Sequence, residues 1–274
     1  MFNTLPDIPL IGLGTYKLKS ADEIYYSMEH AIKSGYRMFD TAELYKNEHH
    51  ISYFIKNKLA QYNLSRNDIW ITTKISYSTI LEGEIPNIRK IITNSIELFE
   101  GYVDLFLIHS YNPNDVITWN ILREYQQIGK IRYLGLSNYN LERLTKFIQN
   151  IGNKESKMIY ANQIEYNPFL NRKELLEYCH SANIRIIAYG SLNKSNNYIE
   201  ILSKKYSRTP EQILLQWANG KGIIVIPMSR NSYHIESNIS ALENKINTID
   251  KLETNEIEIL DNLNENYTKF KKHL

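Results

Sequence analysis

Gly35-Tyr36-Arg37-Met38-Phe39-Asp40-Thr41-Ala42-Glu43-Leu44-Tyr45-Lys46-Asn47-Glu48 is the stretch from which the rest of the chain can be placed. Gly35 suits the end of a preceding helix, because a residue without a Cβ takes the left-handed conformation that closes a last turn. Tyr36 to Phe39 is a short apolar and aromatic run that predicts a buried strand. Asp40 then stands where that strand emerges, and Tyr45 follows in the loop. In parallel α/β proteins the loops at the carboxyl ends of strands carry ligands and chemistry. Taken alone, the pair reads more readily as a turn-capping Asp and a packing Tyr.

The neighbouring sequence repeats the same unit. Upstream, Ile11 to Gly14 predicts a strand, and Ser20-Ala21-Asp22-Glu23 is a capping-box sequence opening a helix with Ile24, Met28, Ala31 and Ile32 on one face. Downstream, a helix from near Glu48 leads to a strand at Ile69 to Lys74. Pro86, suited to a first helical turn, precedes Ile88, Ile92, Ile96 and Phe99 at helical spacing. Asp104-Leu105-Phe106-Leu107-Ile108-His109 is almost purely apolar, as in strands covered on both faces. Alternation continues with a helix at Trp119 to Gln127, a strand at Ile131 to Leu136, a helix at Leu141 to Gln149 and a strand at Met158 to Glu165. A helix at Arg172 to Ser181 and a strand at Ile184 to Tyr189 follow. Thr209-Pro210-Glu211-Gln212 caps another helix, then come a strand at Gly222 to Pro227 and a helix from about Ser232.

Eight strands alternating with eight helices, uninterrupted by any linker rich in Gly, Pro or Ser, predict an α/β fold: a closed (β/α)8 TIM barrel rather than two domains. The expected organisation is one domain over residues 1–274, with an extra C-terminal helix near Glu253 to Leu263. A chain of 274 residues suits a barrel, which typically needs about 250. Little chain precedes the first strand to form a hairpin closing the barrel bottom.

Charge narrows the partners. With 32 Lys and Arg against 30 Asp and Glu, the formal charge of +2 leaves no electrostatic footprint for nucleic acid or a membrane surface. A small molecule is the expected partner. The single Cys179 excludes an internal disulfide and a multi-cysteine metal site, and its helical setting predicts an inert buried thiol. No basic segment with an apolar core opens the chain, and no run reaches the roughly 18 apolar residues of a membrane span, so a cytoplasmic location is expected.

Three polar residues fall at the ends of three successive strands: Asp40, Lys74 and His109. In a barrel these ends converge on one rim. A phenol there has an ordinary pKa of about 10, and a nearby ammonium is expected to lower it toward the range useful for proton transfer. Asp40 would hold that ammonium in place, and His109 could donate a hydrogen bond to an oxygen gaining negative charge. Each residue taken singly also reads as an ordinary structural group.

On these residues the chain resembles the aldo-keto reductase family, over Pro9 to about Asn264. Gly12-Leu13-Gly14-Thr15 is similar to the family's opening G-x-G-T, and Gly35-Tyr36-Arg37 through Asp40-Thr41-Ala42 to Tyr45 resembles its most specific signature. Thr73-Lys74 and Leu107-Ile108-His109 supply the remaining catalytic positions. The resemblance implies reversible NAD(P)H-dependent reduction of a small aldehyde or ketone, with a hydride from nicotinamide C4. It makes Tyr45 the general acid, Lys74 and Asp40 its supporting pair, and His109 the substrate-orienting residue.

The same resemblance implies the cofactor contacts. Ser137, Asn138 and Gln163 match the residues holding the nicotinamide carboxamide, and Tyr189 matches the aromatic that stacks on the ring. Gly14, Thr15, Tyr16, Asp40, Gly190, Leu192, Ser229, Arg230 and Asn238 complete the implied cofactor set. A conventional dinucleotide fold is disfavoured, because Lys17 stands where a third Gly is needed after Gly12 and Gly14. Met228 and His234 replace the two cations with which many members grip the 2′-phosphate of NADP, leaving Arg230 to restore the charge. NADP is the expected cofactor, with NAD the alternative.

The implied substrate contacts are Tyr16, Tyr45, Ser76, His109 and Ser110, with Tyr16 and Ser76 where the family often has Trp. A short loop from Ser110 to Ile117 and little chain after the last helix predict a shallow, open and polar pocket. Glu48-His49-His50 has a metal-binding composition, but adjacent histidines on a helix diverge by roughly 100 degrees, so no metal is expected. The remaining expectation is a monomer. The alternative function is a cofactor-binding regulatory subunit on the same fold whose chemistry is vestigial.

Overall fold

Apolar strands and amphipathic helices alternate through the computed structural model, which describes residues 8–76, 78, 85–192, 194–242, 251–266, 268 and 269. The strands are β1 (Leu13–Gly14), β2 (Met38–Asp40), β3 (Trp70–Ile75), β4 (Val103–Ile108), β5 (Ile131–Ser137), β6 (Ile159–Glu165), β7 (Arg185–Tyr189) and β8 (Ile224–Val225). Each pairs in parallel with the next in chain order. The ends of the sheet meet. Ile11 bridges Val225 in parallel, the Gly12 amide donates to the Val225 carbonyl at 2.9 Å, and the Gly14 amide donates to the Pro227 carbonyl at 3.0 Å. The fold is therefore the (β/α)8 barrel expected from the alternation.

Helices surround this sheet: α1 (Ala21–Lys33), α2 (Glu48–Lys58), α3 (Ile85–Leu98), α4 (Asp115–Gln127), α5 (Leu141–Ile151), α6 (Lys173–Ser181), α7 (Asn197–Tyr206), α8 (Pro210–Gly220), α9 (Ser232–Ser240) and α10 (Thr254–Asp261). The capping box opens α1 as predicted, with Glu23 N bonded to Ser20 Oγ and the Glu23 carboxylate to Ser20 N. Its periodic apolar residues Ile24, Met28, Ala31 and Ile32 are all buried. Thr209, Pro210 and Gln212 open α8 in the same way. The extra C-terminal helix is α10.

Several features differ from the sequence reading. Tyr36 is not in β2. With Gly35 at φ +96°, the Tyr36 amide reaches back to the Ala31 carbonyl at 2.9 Å and closes α1, and the hydroxyl donates to the Ile235 carbonyl of α9. β8 shortens to two residues, because Ile223 still bonds the Ala218 carbonyl behind it. The helix α7 was not expected at all. Asn196 caps it through Ile199 N, but it buries only Ile199 and Leu202 among its ten residues, too little for a periodic signal.

The two-residue period of the strands sorts their side chains into two cores. Met38, Trp70, Leu105, Leu107, Ala161, Ile187 and Ile224 form one cluster, while Phe39, Ile71, Phe106 and Ile108 join the larger cluster with the helices. The smaller cluster fills the barrel interior. At the opposite end of β4 from His109, Asp104 is buried between Arg66 at 2.8 Å and Arg132 at 2.7 Å, so its role is to tie the base of the barrel together.

Candidate active site

Strand parity decides which polar residues reach the barrel mouth. Asp40, His109, Gln163 and Tyr189 each lie two residues beyond an interior residue, namely Met38, Leu107, Ala161 and Ile187. They therefore point inward at the carboxyl ends of β2, β4, β6 and β7. All four line a cavity of about 470 Å³, together with Tyr45, Ser137 and Asn138.

Lys74 is the hub. Its side chain is wholly buried, and Nζ donates to Asp40 Oδ1 at 2.6 Å, to the Thr41 carbonyl at 2.8 Å and to the Tyr45 hydroxyl at 3.5 Å. Gln163 Nε2 donates to the other Asp40 oxygen at 2.7 Å, so both carboxylate oxygens are engaged. Tyr45 packs between Tyr16, with ring centroids 5.2 Å apart, and His109 at 5.7 Å in an edge-to-face arrangement. The ammonium also lies 5.0 Å from the centre of the Tyr45 ring.

A buried amide fixes the loop that carries Tyr45. Asn47 Nδ2 donates to the carbonyls of Thr15 at 3.0 Å and Leu18 at 2.8 Å, and its Oδ1 accepts from Thr41 Oγ1 at 2.7 Å. It thereby ties the turn Glu43–Tyr45 to the β1 loop that presents Tyr16. Replacing Asn47 by Ala would strand three buried polar groups and should cost about 2 to 3 kcal/mol of stability, measurable by urea denaturation. A cost below about 0.5 kcal/mol would show that this clamp is not structural.

Burial dominates the electrostatics. It raises Asp40 and lowers Lys74, each toward its neutral form, while their mutual contact opposes both changes. Tyr45 departs from the sequence expectation of a lowered phenol: burial holds its hydroxyl well above the ordinary value, and Asp40, Tyr189 and Tyr16 push the same way. The Lys74 charge is largely spent on Asp40. The phenol thus keeps its proton across the neutral range. Burial also pushes the Cys179 thiol up to about 12, consistent with an inert core residue.

Glu48, the acid of the Glu48-His49-His50 sequence, is turned into the barrel wall, where Thr73 Oγ1 donates to it at 2.6 Å and Ser95 Oγ at 3.2 Å. Among the described residues no group of three or more His, Cys, Asp and Glu is placed to hold a metal. Burial raises the Glu48 pKa above 4.5. Because the folded state then holds its proton more tightly than the unfolded chain, this group's contribution falls as pH rises from 4.5 through the folded value. Glu48→Gln should remove that loss, so its melting temperature should gain on the wild type between pH 5 and pH 8 in calorimetry. A gap independent of pH would mean that the carboxyl titrates normally.

The cavity continues along the mouth. Its wall includes Gly14, Tyr16, Gly190 and Leu192, as expected from the sequence, and also Lys17, Leu44, Ser191, Ile226, Pro227, Met228 and Lys269, which were not. Met228 is shared with a second cavity of about 510 Å³, lined further by Tyr26, Ser229, Arg230, Asn231, Ser232 and His234. Arg230 is turned toward α1: its Nε lies 3.0 Å from Glu23 Oε1 and its Nη2 donates to the Lys17 carbonyl. Lys269 brings chain from beyond the last helix to this cavity. Thr268 Oγ1 and the Lys269 amide both bond the Glu165 carboxylate at the end of β6, drawing the tail to the cavity edge.

Five expected residues line neither cavity: Lys74, wholly buried behind Asp40 and Tyr45, and four others. Thr15 Oγ1 is spent on the Asp40 carbonyl at 2.9 Å, Ser76 faces Ser78 at 3.1 Å, the Ser110 carbonyl accepts from Asn112, and Asn238 is buried within α9.

The donor set fits a nicotinamide cofactor. Gln163 commits its Nε2 to Asp40, and its Oε1 is left as an acceptor at the cavity, suited to a carboxamide N–H. Ser137 and Asn138 stand beside it, Asn138 being held by the Tyr189 hydroxyl at 2.7 Å and by its own donation to the His109 carbonyl. Gly14 lets the chain after β8 approach closely, since a Cβ there would meet the Ile226 carbonyl oxygen at 2.7 Å. No helix among the described residues is long and apolar enough to cross a membrane.

Comparison with known proteins bears on the family and the fold. The model of the aldo/keto reductase family matches residues 10–197. Methylglyoxal reductase DkgB of Escherichia coli O157:H7 is 33% identical over 254 residues, covering 89% of this chain and 91% of that protein. Estradiol 17 beta-dehydrogenase 5 of Mus musculus is 28% identical over 310 residues, covering 97% and 93%. Among solved structures, MGS-M4, an aldo-keto reductase enzyme from a Medee basin deep-sea metagenome library, superposes with a TM-score of 0.85 at 26% identity, covering 97% of this chain and 94% of its own. With the family match over residues 10–197, the barrel and these relatives all in agreement, the chain belongs to the aldo/keto reductase family and is an oxidoreductase of that NAD(P)H-using family.

Proposed function

We propose that this protein reduces small aldehydes or ketones to alcohols with NADPH as the usual cofactor, and that Tyr45 gives the proton. The observation that carries the reading is the Tyr45 hydroxyl 3.5 Å from Lys74 Nζ, which is itself held by Asp40 at 2.6 Å, in one cavity with His109. When bound, the nicotinamide supplies a hydride to the carbonyl carbon. Ser137, Asn138 and Gln163 would hold its carboxamide and Tyr189 would support its ring, the contacts that would orient it toward the substrate.

Proton delivery is the work of the chain itself. His109 and the Tyr45 hydroxyl bind the carbonyl oxygen, and as negative charge gathers there the phenol O–H bond breaks toward it. The Lys74 ammonium stabilises the phenolate left behind, and Asp40 keeps that ammonium in place. In the ground state burial keeps the phenol protonated, so the donor is ready at neutral pH. Alcohol oxidation uses the same groups in reverse.

The reading extends to one barrel domain acting as a monomer. Its test is a panel of small carbonyl compounds, methylglyoxal included because similar reductases carry that name, assayed with NADPH and NADH by loss of near-ultraviolet absorbance. Turnover of several aldehydes is expected. Cofactor binding without turnover of any of them would favour the regulatory-subunit reading.

A further inference from the structure

We infer that Glu23 sets the cofactor choice, by holding Arg230 back from the 2′-phosphate so that NADH is accepted beside NADPH. This rests on the reading that the second cavity takes the adenosine end of the cofactor. Met228, Arg230 and His234 occupy that cavity's lining, and Arg230 carries the only permanent charge among its described residues. A 2′-phosphate there depends on that guanidinium for a charge-assisted contact.

The guanidinium already has an acid. Arg230 Nε lies 3.0 Å from Glu23 Oε1, and its Nη2 donates to the Lys17 carbonyl. Glu23 is not a wandering surface group. Its other oxygen accepts from the amides of Lys19 at 2.9 Å and Ser20 at 3.3 Å, the second being half of the capping box that opens α1. These backbone bonds hold the carboxyl below its ordinary range, so it is charged at neutral pH. A dinucleotide phosphate must compete with a carboxylate that the fold has placed.

Competition is possible because both partners are partly exposed, with side-chain exposures of 54% for Arg230 and 34% for Glu23. An exposed pair of this kind shifts an equilibrium by up to about fivefold. The phosphate therefore gains less from Arg230 than from an unpaired cation, and it meets the negative field of Glu23 as well. A 2′-hydroxyl pays neither cost. Discrimination between the cofactors is compressed from the phosphate side, not by loss of the Arg.

Calorimetric titration of 2′,5′-ADP and 5′-AMP into the whole protein tests this without using the catalytic chemistry. Wild type, Glu23→Gln, Arg230→Ala and the double variant are compared, and Gln keeps the acceptor that caps α1. Glu23→Gln should tighten 2′,5′-ADP about three- to fivefold while moving 5′-AMP less than twofold. In the Arg230→Ala background most of that gain should vanish. An unchanged ratio of the two constants, or an equal gain without Arg230, overturns the role of Glu23 and leaves carbonyl reduction untouched. Failure of wild type to bind either nucleotide would overturn both this inference and the cofactor reading.

Discussion

Tyr45→Phe should lower carbonyl reduction by about 10²- to 10⁴-fold, the range for losing a general acid, while NADPH affinity stays within about twofold. The hydroxyl is the only part removed, and it accepts from Lys74 Nζ at 3.5 Å. The residues assigned to the carboxamide are held by other groups: Gln163 by Asp40, and Asn138 by Tyr189 and the His109 carbonyl. The ring remains to pack against Tyr16 and His109. Steady-state kinetics would show a fall in kcat greater than any rise in KM, and fluorescence titration would show the cofactor still bound. Full turnover with the chemical step limiting would remove Tyr45 from the mechanism.

Lys74→Met should be comparably damaging, by about 10²- to 10³-fold, because it removes the charge facing the developing phenolate. It should also cost roughly 3 to 5 kcal/mol of stability, since Asp40 is left buried without its counter-ion. The diagnostic readout is pH. Burial already raises the Tyr45 hydroxyl, and loss of a cation 3.5 Å away raises it further. Alcohol oxidation needs the phenolate as base, so its rising limb should move to higher pH in the variant. Reduction needs the neutral phenol, so its fall at alkaline pH should move the same way. A profile at the wild-type position, whatever the rate, would separate Lys74 from Tyr45.

The parts of this site that could be read in the sequence are those where strand chemistry changes abruptly. Leu105 to Ile108 is apolar throughout and His109 is not, so the strand end announces itself, and the same holds for Met38-Phe39 before Asp40. Capping residues at Ser20 and Thr209 located their helices correctly because they act on amides within three residues. What escaped depends on contacts between distant elements. The Glu23 and Arg230 pair joins the first helix to the loop after β8, and no local pattern records it. Lys269 reaches the cavity because Glu165 binds the tail, again a tertiary contact without periodicity. The direction of the Tyr45 shift depends on how deeply the hydroxyl is buried and how fully Asp40 consumes the ammonium charge, and neither is visible in spacing.

The most direct measurement is a single-turnover mixture of excess wild-type protein, NADPH and a small aldehyde such as methylglyoxal, followed by absorbance with the alcohol quantified at the end. One alcohol should form for each NADPH consumed, and the same mixture with Tyr45→Phe should hold its NADPH bound and intact over the wild-type reaction time. Tight binding of NADPH to the wild type with no aldehyde-dependent oxidation would contradict reduction at this site and leave a cofactor-binding protein on a reductase fold.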